Sequence, residues 1–396
     1  MGHLPCATKE SYAMMSEEGS GFTFPVGYHQ FHRDQLFNFQ LNRPHSLGYA
    51  RFDDLQEVGK RIGTFGEWKT QMLRLATESL SEGRLINAAF YYRAAEFYTF
   101  PDDPDKDPLY DKFSDLFYRA IEDHRIEKIQ IPYGESMLPA IATEPEGKLR
   151  GTIILHGGYD SFIEEYYSLM QHFMASGFRV IGFEGPGQGA ARRKSGLPLD
   201  YRWEEPVKSV LDHLGLEDVT LAGFSMGGYF ALRSAAFEQR VKRVIVSGHA
   251  FDYRKVTPAP ATWLLQFFRN NLREFTNKLS RWKIRRGGME AWNISHMMYV
   301  LGVDEPMAAL DFALQLNEEN LHSNLVKQDV LILASRNDHF IPFRLHEMQL
   351  RRLTSARSVT DRVFTKEDHA HNHCQIGNIG LALKVMRDWL DEKSTP

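Results

Sequence analysis

The sequence predicts an α/β fold with a mostly parallel central sheet, a helical N-terminal region and a helical insertion. Three observations predict this class. From residue 151 onward, short apolar runs rich in β-branched residues alternate with helix-length stretches, which is the pattern of β-α-β units. Apolar side chains recur at helical spacing between residues 68 and 121. A long amphipathic stretch, from about residue 253 to 327, interrupts the alternation.

Composition limits the classes of partner. The chain has 396 residues, 43% of them hydrophobic, so it can bury a large core. Acidic and basic residues are interspersed and the formal net charge is −4, which gives no electrostatic reason to expect nucleic acid or a membrane as partner. Cys6 and Cys374 are too few for a disulfide framework or a four-cysteine metal site. We expect a small-molecule partner and leave a homodimer open.

The ends and the hydropathy of the chain predict its location. The N-terminus lacks the basic segment and apolar run of a secretory signal, and it lacks a complete myristoylation pattern. No stretch approaches the roughly 18 uncharged apolar residues of a membrane span. We therefore expect a cytoplasmic protein.

Residues 1–125 are predicted to form a mainly helical N-terminal domain. Apolar residues recur every three to four positions over 68–80 and 88–98, and again from Leu109 after the break PDDPDKDP. Three helices are therefore expected before the sheet. The residues before about 60 show no clean period and predict no particular element.

Residues 126–252 and 328–396 are predicted to form the two parts of the sheet-containing core. Apolar and polar residues alternate on both sides of the turn signal Tyr133-Gly134-Glu135, which predicts a hairpin. The runs GTIILH, FRVIGFE, VTLAGF and VKRVIVSG predict four more strands, and DVLILAS and DRVFTKE two further ones. Residues 253–327 are predicted to form a helical lid. Its apolar side chains are expected to cover the site: Trp263, Leu264, Phe267, Phe268, Trp292, Met297, Met298 and Tyr299.

Ser225 is the candidate nucleophile. It lies between two glycines in LAGFSMGG, after a predicted strand and before a predicted helix. In a nucleophile elbow, small residues let strand and helix pack closely around a sharp turn that exposes the serine hydroxyl. The alternative is a serine that only caps the start of the helix.

A serine hydroxyl near neutral pH needs a base, and the base needs a carboxylate that orients it. Asp338, three residues past the DVLILAS strand, is the candidate acid, and Asp252, after the VKRVIVSG strand, is its rival. The segment TKEDHAHNHCQIGN offers three candidate bases, His369, His371 and His373. Closely spaced histidines beside an acidic residue also suggest a metal site, although three such ligands are rarer in this place than a catalytic base.

Glycine-rich segments follow two of the predicted strands. In LHGGYD, the N–H of Gly158 is a candidate oxyanion donor together with the N–H of Met226, and His156 is interpreted as a loop-supporting side chain. GFEGPGQG lacks the spacing of a nucleotide-binding loop, so no nucleotide is expected. Glu184 in that segment is interpreted as a structural carboxylate, with a contact to the substrate as the alternative, and Cys374 as a packing residue.

The motifs LHGG, FEGPGQG, GFSMGG, SRNDHFIP and HCQIGN together resemble the α/β-hydrolase superfamily over residues 126–390. FEGPGQG, and AAFYYRAAEFY followed by an Asp-Pro break, are similar more narrowly to the group of 2,6-dihydropseudooxynicotine hydrolase and the fungal polyketide-shortening pigment hydrolases. Members of that group share a helical N-terminal cap and use a Ser-Asp-His triad. Their base precedes a Cys-Gln pair, which implies His373 here.

The resemblance implies a hydrolase that cleaves a carbon–carbon bond beside a ketone, or an acyl bond, in a medium-sized apolar, aromatic or polyketide-like carbonyl compound. It implies the triad Ser225, Asp338 and His373, the oxyanion donors Gly158 and Met226, and neither a cofactor nor a metal. The alternatives are a carboxylesterase of small esters, an acyltransferase or cyclase with the same triad, and a relative that only binds its ligand.

Overall fold

The computed structural model describes residues 22–121 and 126–393 of the chain. The predictions that concern Cys6 and an export signal lie outside these residues. Eight strands form one sheet in the order β1-β2-β4-β3-β5-β6-β7-β8. They are β1 (Ile126–Tyr133), β2 (Ser136–Thr143), β3 (Thr152–His156), β4 (Arg179–Phe183), β5 (Val219–Phe224), β6 (Val241–Ser247), β7 (Asp329–Ser335) and β8 (Ser358–Phe364). The predicted hairpin and the six predicted apolar runs account for all eight, which confirms the fold class.

Strand direction and register position the carboxyl ends of the central strands. β1 and β2 form an antiparallel hairpin and β2 also pairs antiparallel with β4, whereas β3 to β8 run parallel. Phe224 at the end of β5 pairs with Ser247 on β6, and Ser247 pairs with Leu333 on β7. Every residue of β5 and β7 is buried, as expected for parallel strands covered on both faces.

Five helices precede the sheet in the described part of the chain, two more than predicted. They are α1 (Gln35–Ser46), α2 (Phe52–Gly59), α3 (Phe65–Ser81), α4 (Leu85–Phe97) and α5 (Lys106–Ile121). The predicted helices correspond to α3, α4 and α5. The periodicity of α1 is hidden because polar side chains are buried on it: Asn42 Oδ1 accepts from His29 N–H at 2.8 Å, and Asn38 Oδ1 from His32 N–H at 2.9 Å.

Further helices cover the sheet and form the insertion. Those before the insertion are α6 (Tyr167–Ala175), α7 (Gly189–Arg193), α8 (Glu204–Leu214) and α9 (Met226–Phe237). The insertion contains α10 (Ala259–Asn271), α11 (Arg273–Arg286), α12 (Met289–Leu301), α13 (Pro306–Ala313) and α14 (Glu318–Leu321), and α15 (Phe343–Arg352) and α16 (Ile379–Lys393) follow it. Short 3₁₀ turns lie at Ile163–Tyr166, Tyr253–Lys255, Ser323–Leu325 and His373–Gln375. No helix in residues 22–121 or 126–393 is long and apolar enough to cross a membrane.

The aromatic residues of the insertion do not all face inward, so the expectation that they cover the site is partly wrong. Trp263 is 66% exposed, and Leu264 and Phe267 on the same helix are also exposed. Trp292 on α12, by contrast, is buried against Phe97 and Tyr98 of the N-terminal region. The prediction failed for α10 because composition reports how apolar a helix is but not which neighbour covers it.

A buried cluster of charges joins the N-terminal helices to the core. Glu96 on α4 pairs with Arg93, with Lys106 at 2.7 Å and with Arg193 of α7, and all four side chains are at most 6% exposed. Burial alone would raise the pKa of Glu96, but these three cations hold it well below its usual value. Arg93 Nε also donates to Glu165 in the 3₁₀ turn after β3. Each buried charge is thus compensated, which a low-dielectric interior requires.

Glu96→Gln should destabilise the protein by about 3–5 kcal/mol, because it removes the anion that three buried cations share. Equilibrium urea unfolding followed by circular dichroism measures the change in the free energy of unfolding. Asp107→Asn is the matched control: Asp107 pairs with the same Arg193 but is 68% exposed, so its loss should cost less than about 1 kcal/mol. Equal losses in the two variants would contradict a structural role for the cluster.

Candidate active site

Ser225 lies in a sharp turn between β5 and α9. Its φ of 58° and ψ of −129° are rare for an L-residue, and the turn is held by a 2.8 Å hydrogen bond from its N–H to Ser247 O. A Cβ on Gly223 would lie 2.1 Å from the carbonyl oxygen of Gly227, and one on Gly227 would lie 2.4 Å from that of Gly157. Glycine is therefore required at both positions for strand, turn and helix to pack this closely.

Hydrogen bonds connect Ser225 to His373 and His373 to Asp338. His373 Nε2 lies 2.8 Å from Ser225 Oγ, and His373 Nδ1 lies 2.7 Å from Asp338 Oδ2. The other carboxylate oxygen of Asp338 accepts from the N–H groups of Phe340 and Ile341 at 2.8 and 2.9 Å. These bonds fit an imidazole with the proton on Nδ1 and the acceptor lone pair on Nε2, the tautomer in which it can take a proton from serine.

The rival acid and the other histidines lie away from this chain of hydrogen bonds. Asp252 is fully buried and engaged by Arg254, with Nη2 at 2.7 Å, and its carboxylate also caps the 3₁₀ turn that follows it. His369 is exposed in a left-handed conformation with φ of 57°. His371 packs edge-on against Tyr28, with ring centroids 6.3 Å apart. Of the candidates, the structure brings Asp338 and His373 to Ser225.

The charge state of His373 is set by opposing effects. Its side chain is 7% exposed, and burial by itself would lower the pKa. The carboxylate of Asp338 and the neighbouring Cys374 outweigh burial and raise the pKa of His373 well above the usual 6.5. Because the neutral form must accept a proton, the fraction of molecules able to do so rises with pH through this pKa.

A buried glutamine positions the loop that carries His373. Ser247 Oγ donates to Gln375 Oε1 at 2.6 Å, and Gln375 Nε2 donates to Ser335 Oγ at 3.0 Å. Ser335 in turn donates to the carbonyl of Ala370 at 3.0 Å. The loop is thereby tied to the carboxyl ends of β6 and β7. Reasoning from the residues did not predict this role, although the Cys-Gln pair used to choose His373 contains the glutamine.

The predicted oxyanion donors lie side by side. Met226 begins α9, so its N–H is one of the first helical N–H groups, which have no acceptor within the helix. A Cβ on Gly158 would lie 2.8 Å from Met226 N, which shows how close the two backbones are. The N–H of Gly158, however, donates to Ser161 Oγ at 3.2 Å and must leave that acceptor to bind an oxyanion.

FEGPGQG supports the Gly157-Gly158 loop. The Gln188 amide donates to the carbonyl of Gly157 at 2.8 Å and to that of Gly158 at 2.7 Å, and it accepts from Gly185 N–H at 3.0 Å. Glu184 accepts from Ile163 N–H at 3.0 Å in the 3₁₀ turn after β3 and from Ala190 N–H at 2.6 Å in α7, and burial, reinforced by Glu164, raises its pKa to about 8. Glu184 is thus a buried carboxyl group that bonds to the backbone. FEGPGQG supports the Gly157-Gly158 loop through Gln188.

Ser225 opens into a cavity of about 440 Å³, within the size range of small-molecule sites. Helix α1 contributes Phe39 and Gln40 to its wall, and the insertion contributes Trp292, Met297 and Phe312. The N-terminal helices and the insertion therefore both border the space above the serine. In residues 22–121 and 126–393, no cluster of three His, Cys, Asp or Glu side chains could hold a metal ion.

Known proteins share this architecture. The alpha/beta hydrolase fold model matches residues 153–286. "Alpha/beta hydrolase gkaG" of Penicillium citrinum is 30% identical over 338 residues, 71% of this chain and 76% of the relative. "Hydrolase acrC" of Aspergillus aculeatus is 31% identical over 268 residues, 57% of this chain and 60% of the relative, so the match spans less than two thirds of that protein.

A solved structure shows the same fold over most of the chain. The crystal structure of the 2,6-dihydroxy-pseudo-oxynicotine hydrolase superposes with a TM-score of 0.63 at 20% identity, and the alignment covers 88% of this chain and 94% of that one. The sheet order, the turn at Ser225 and the identity to gkaG over most of both chains lead to one conclusion. The chain belongs to the α/β-hydrolase family.

Proposed function

We propose that the protein is a serine hydrolase that cleaves a medium-sized, largely apolar carbonyl compound. The observation that carries the proposal is the hydrogen-bonded series Ser225, His373 and Asp338, which opens into a 440 Å³ cavity. A ligand-binding relative without activity has no need of a strained serine held 2.8 Å from an oriented imidazole.

In the proposed reaction, Ser225 Oγ attacks the substrate carbonyl carbon while its proton moves to His373 Nε2. The negative charge that develops on the carbonyl oxygen is stabilised by the N–H groups of Met226 and Gly158. His373 then returns the proton to the leaving group, and an acyl group stays on Ser225. Water, deprotonated by His373, then attacks the acyl carbon, and His373 returns that proton to Ser225 Oγ as the acid is released. The carboxylate of Asp338 stabilises the imidazolium in both halves.

The cavity supports the substrate class. Aromatic and aliphatic side chains form most of its wall, whereas a limited set of side chains supplies polar groups: Gln40, Arg43, Asp160, Ser161, Glu165 and Asn293. Arg43 and Glu165 form an ion pair with each other, so their charges are mutually compensated. Such a wall suits an aromatic or polyketide-like compound with a few oxygen atoms.

Carbon–carbon cleavage is the first candidate for the bond that breaks, and ester hydrolysis is the second. In a β-diketone, the tetrahedral adduct collapses to an acyl group and an enolate, which takes its proton from His373 at carbon. An ester collapses to an alkoxide that takes the same proton at oxygen. The two reactions use the same residues, and acyl transfer to another acceptor would use them too. The preference for carbon–carbon cleavage rests on the resemblance of the motifs, and the largely apolar wall of the cavity is compatible with it.

A fluorophosphonate probe should label Ser225 and leave Ser225→Ala unlabelled, as read by peptide mapping. The same substitution should lower kcat by about 10⁵–10⁶-fold, because it removes the nucleophile. Ser209→Ala is the matched control, since its hydroxyl is exposed on α8 and donates only to a backbone carbonyl. Labelling that persists in Ser225→Ala would refute the nucleophile.

The pH dependence of kcat/KM should identify the carboxylate that orients His373. With the wild type, activity should rise through a pKa above 6.5, because Asp338 raises the pKa of the base. Asp338→Asn removes that charge while His373 stays buried, so the rise should move to lower pH, and kcat should fall about 10³–10⁴-fold. Asp252→Asn is the matched carboxylate control and should leave the midpoint unchanged. A shift of the midpoint with Asp252→Asn alone would assign the acid to Asp252.

Assays with matched aryl β-diketones and aryl esters of similar size should show whether the enzyme prefers to cleave a carbon–carbon bond or an ester bond. Cleavage beside the ketone predicts that the best diketone is turned over with a kcat/KM at least comparable to that of the best ester. Product analysis by mass spectrometry, with and without an added alcohol acceptor, separates hydrolysis from acyl transfer. If kcat/KM for every diketone is a hundredfold or more below that for the esters, carbon–carbon cleavage is excluded as the main reaction and ester hydrolysis remains as the candidate.

A further inference from the structure

Asp160 is a charged side chain on the wall of the cavity for which the proposed reaction has no use. The residue lies deep in the protein, just after the Gly157-Gly158 loop, yet its side chain is 22% exposed. Asp160 borders the 440 Å³ cavity and a neighbouring void of only about 20 Å³, so this exposure is toward the cavity. Its carboxylate is therefore accessible to a substrate that reaches Ser225.

The acceptor positions of this carboxylate are open. His296 Nε2 lies 3.6 Å from Asp160 Oδ2, which is too long for a hydrogen bond, and within the described residues this nitrogen has no other hydrogen-bond partner. Burial would raise the pKa of Asp160, but His296, Arg43 and Arg93 hold it below its usual value, so the group is ionised near neutral pH. An ionised carboxylate has about four lone-pair sites, so Asp160 can accept from a group on the substrate.

The position of Asp160 relative to the oxyanion donors is fixed. Arg93 Nη2 donates to the backbone carbonyl of Asp160 at 2.9 Å, and His296, beside the carboxylate, stacks on Trp292 of α12 with ring centroids 4.8 Å apart. Asp160 follows Gly158 by two residues, so their Cα atoms are at most about 7 Å apart. One aromatic ring spans a similar distance. A ring attached to a carbonyl group held near Gly158 can therefore bring a substituent to Asp160.

The charges around Asp160 favour a neutral donor over a cation. The ion-pair network beside it contains as many cations as anions once Asp160 is included: Arg43, Arg93, Lys106 and Arg193 against Glu96, Asp107, Asp160 and Glu165. An ammonium group on the substrate would add a further positive charge near Arg43 and Arg93, whereas a hydroxyl leaves the balance unchanged. A hydroxyl also forms a short, charge-assisted hydrogen bond to a carboxylate, and a ketone oxygen has no proton to donate.

We propose that Asp160 binds a phenolic or enolic hydroxyl group of the substrate. This inference rests on the proposed function and narrows its substrate class to hydroxylated carbonyl compounds. The carbonyl oxygen lies at the oxyanion donors while the hydroxyl, on the part of the substrate beyond that carbonyl, donates to the carboxylate of Asp160. The two contacts fix both ends of the substrate relative to Ser225 Oγ. Asp160 thus selects and orients the substrate and transfers no proton in the reaction.

Hydroxyphenyl β-diketones and esters, each compared with its methyl ether, test the inference, because the ether cannot donate. With the hydroxyl ortho, meta or para, the best hydroxyl compound should exceed its ether at least tenfold in kcat/KM with the wild type, as expected for a hydrogen bond to a charged group. Asp160→Ala should reduce this ratio to within about twofold without lowering kcat/KM for the ether more than threefold. Asp160→Asn, which keeps a neutral acceptor, should give an intermediate ratio. Asp111→Asn is the control, since this carboxylate on α5 is 58% exposed, and it should keep the wild-type ratio.

Fluorophosphonate labelling of Ser225 separates this inference from the proposed function, since both Asp160 variants should be labelled within threefold of the wild-type rate. Equal losses for the hydroxyl compound and its ether in these variants would assign Asp160 a structural role and overturn the inference. A wild type that shows no preference for the hydroxyl, or that prefers an aminomethyl analogue, overturns it as well. If no diketone or ester is turned over, the proposed function fails, and calorimetric titration of the same compounds into the wild type decides the role of Asp160. A tenfold difference in dissociation constant that Asp160→Ala removes supports the inference, and equal constants overturn it.

Discussion

The register of three parallel strands is the constraint on which the site depends. Backbone hydrogen bonds align the carboxyl ends of β5, β6 and β7, so that the residues just beyond them meet at one edge of the sheet. Ser225 follows β5 directly, and Asp338 follows β7 by three residues. His373 is 148 residues from Ser225 in the chain and reaches it from the loop after β8. A slip of one residue in this register would turn side chains to the other face and separate the three groups.

Two buried glutamine side chains hold the loops of the site against the aligned strand ends. Gln375 connects the His373 loop to serines at the ends of β6 and β7, and Gln188 holds the Gly157-Gly158 loop by two carbonyl groups. An amide can donate and accept at once, so one buried side chain connects polar groups on two segments of the chain. Neither glutamine borders the cavity, yet each holds a loop that does, through Tyr159 in one case and His373 in the other.

The helices around the sheet shape what the site can hold. Compensated charges attach α4 and α5 to the core, and Trp292 joins the insertion to the N-terminal region through Phe97 and Tyr98. The cavity is therefore bordered by parts of the chain that are far apart in sequence. Its walls depend on how these parts pack together, and the exposed side of α10 and α11 takes no part in them.

Local patterns in the sequence predicted the eight strands, the turn at Ser225 and the short set of candidate acids and bases. These features follow from local periodicity, from glycine spacing and from the order of the motifs. The sequence did not reveal α1, whose buried asparagines satisfy backbone groups and so disguise its apolar face. It favoured Asp338 over Asp252 as the candidate acid, from its position after the DVLILAS strand. The contact of Asp338 with His373, the pairing of Asp252 with Arg254, and the inward Trp292 and outward Trp263 became visible only in the folded chain. Each depends on contacts between segments that local patterns do not relate.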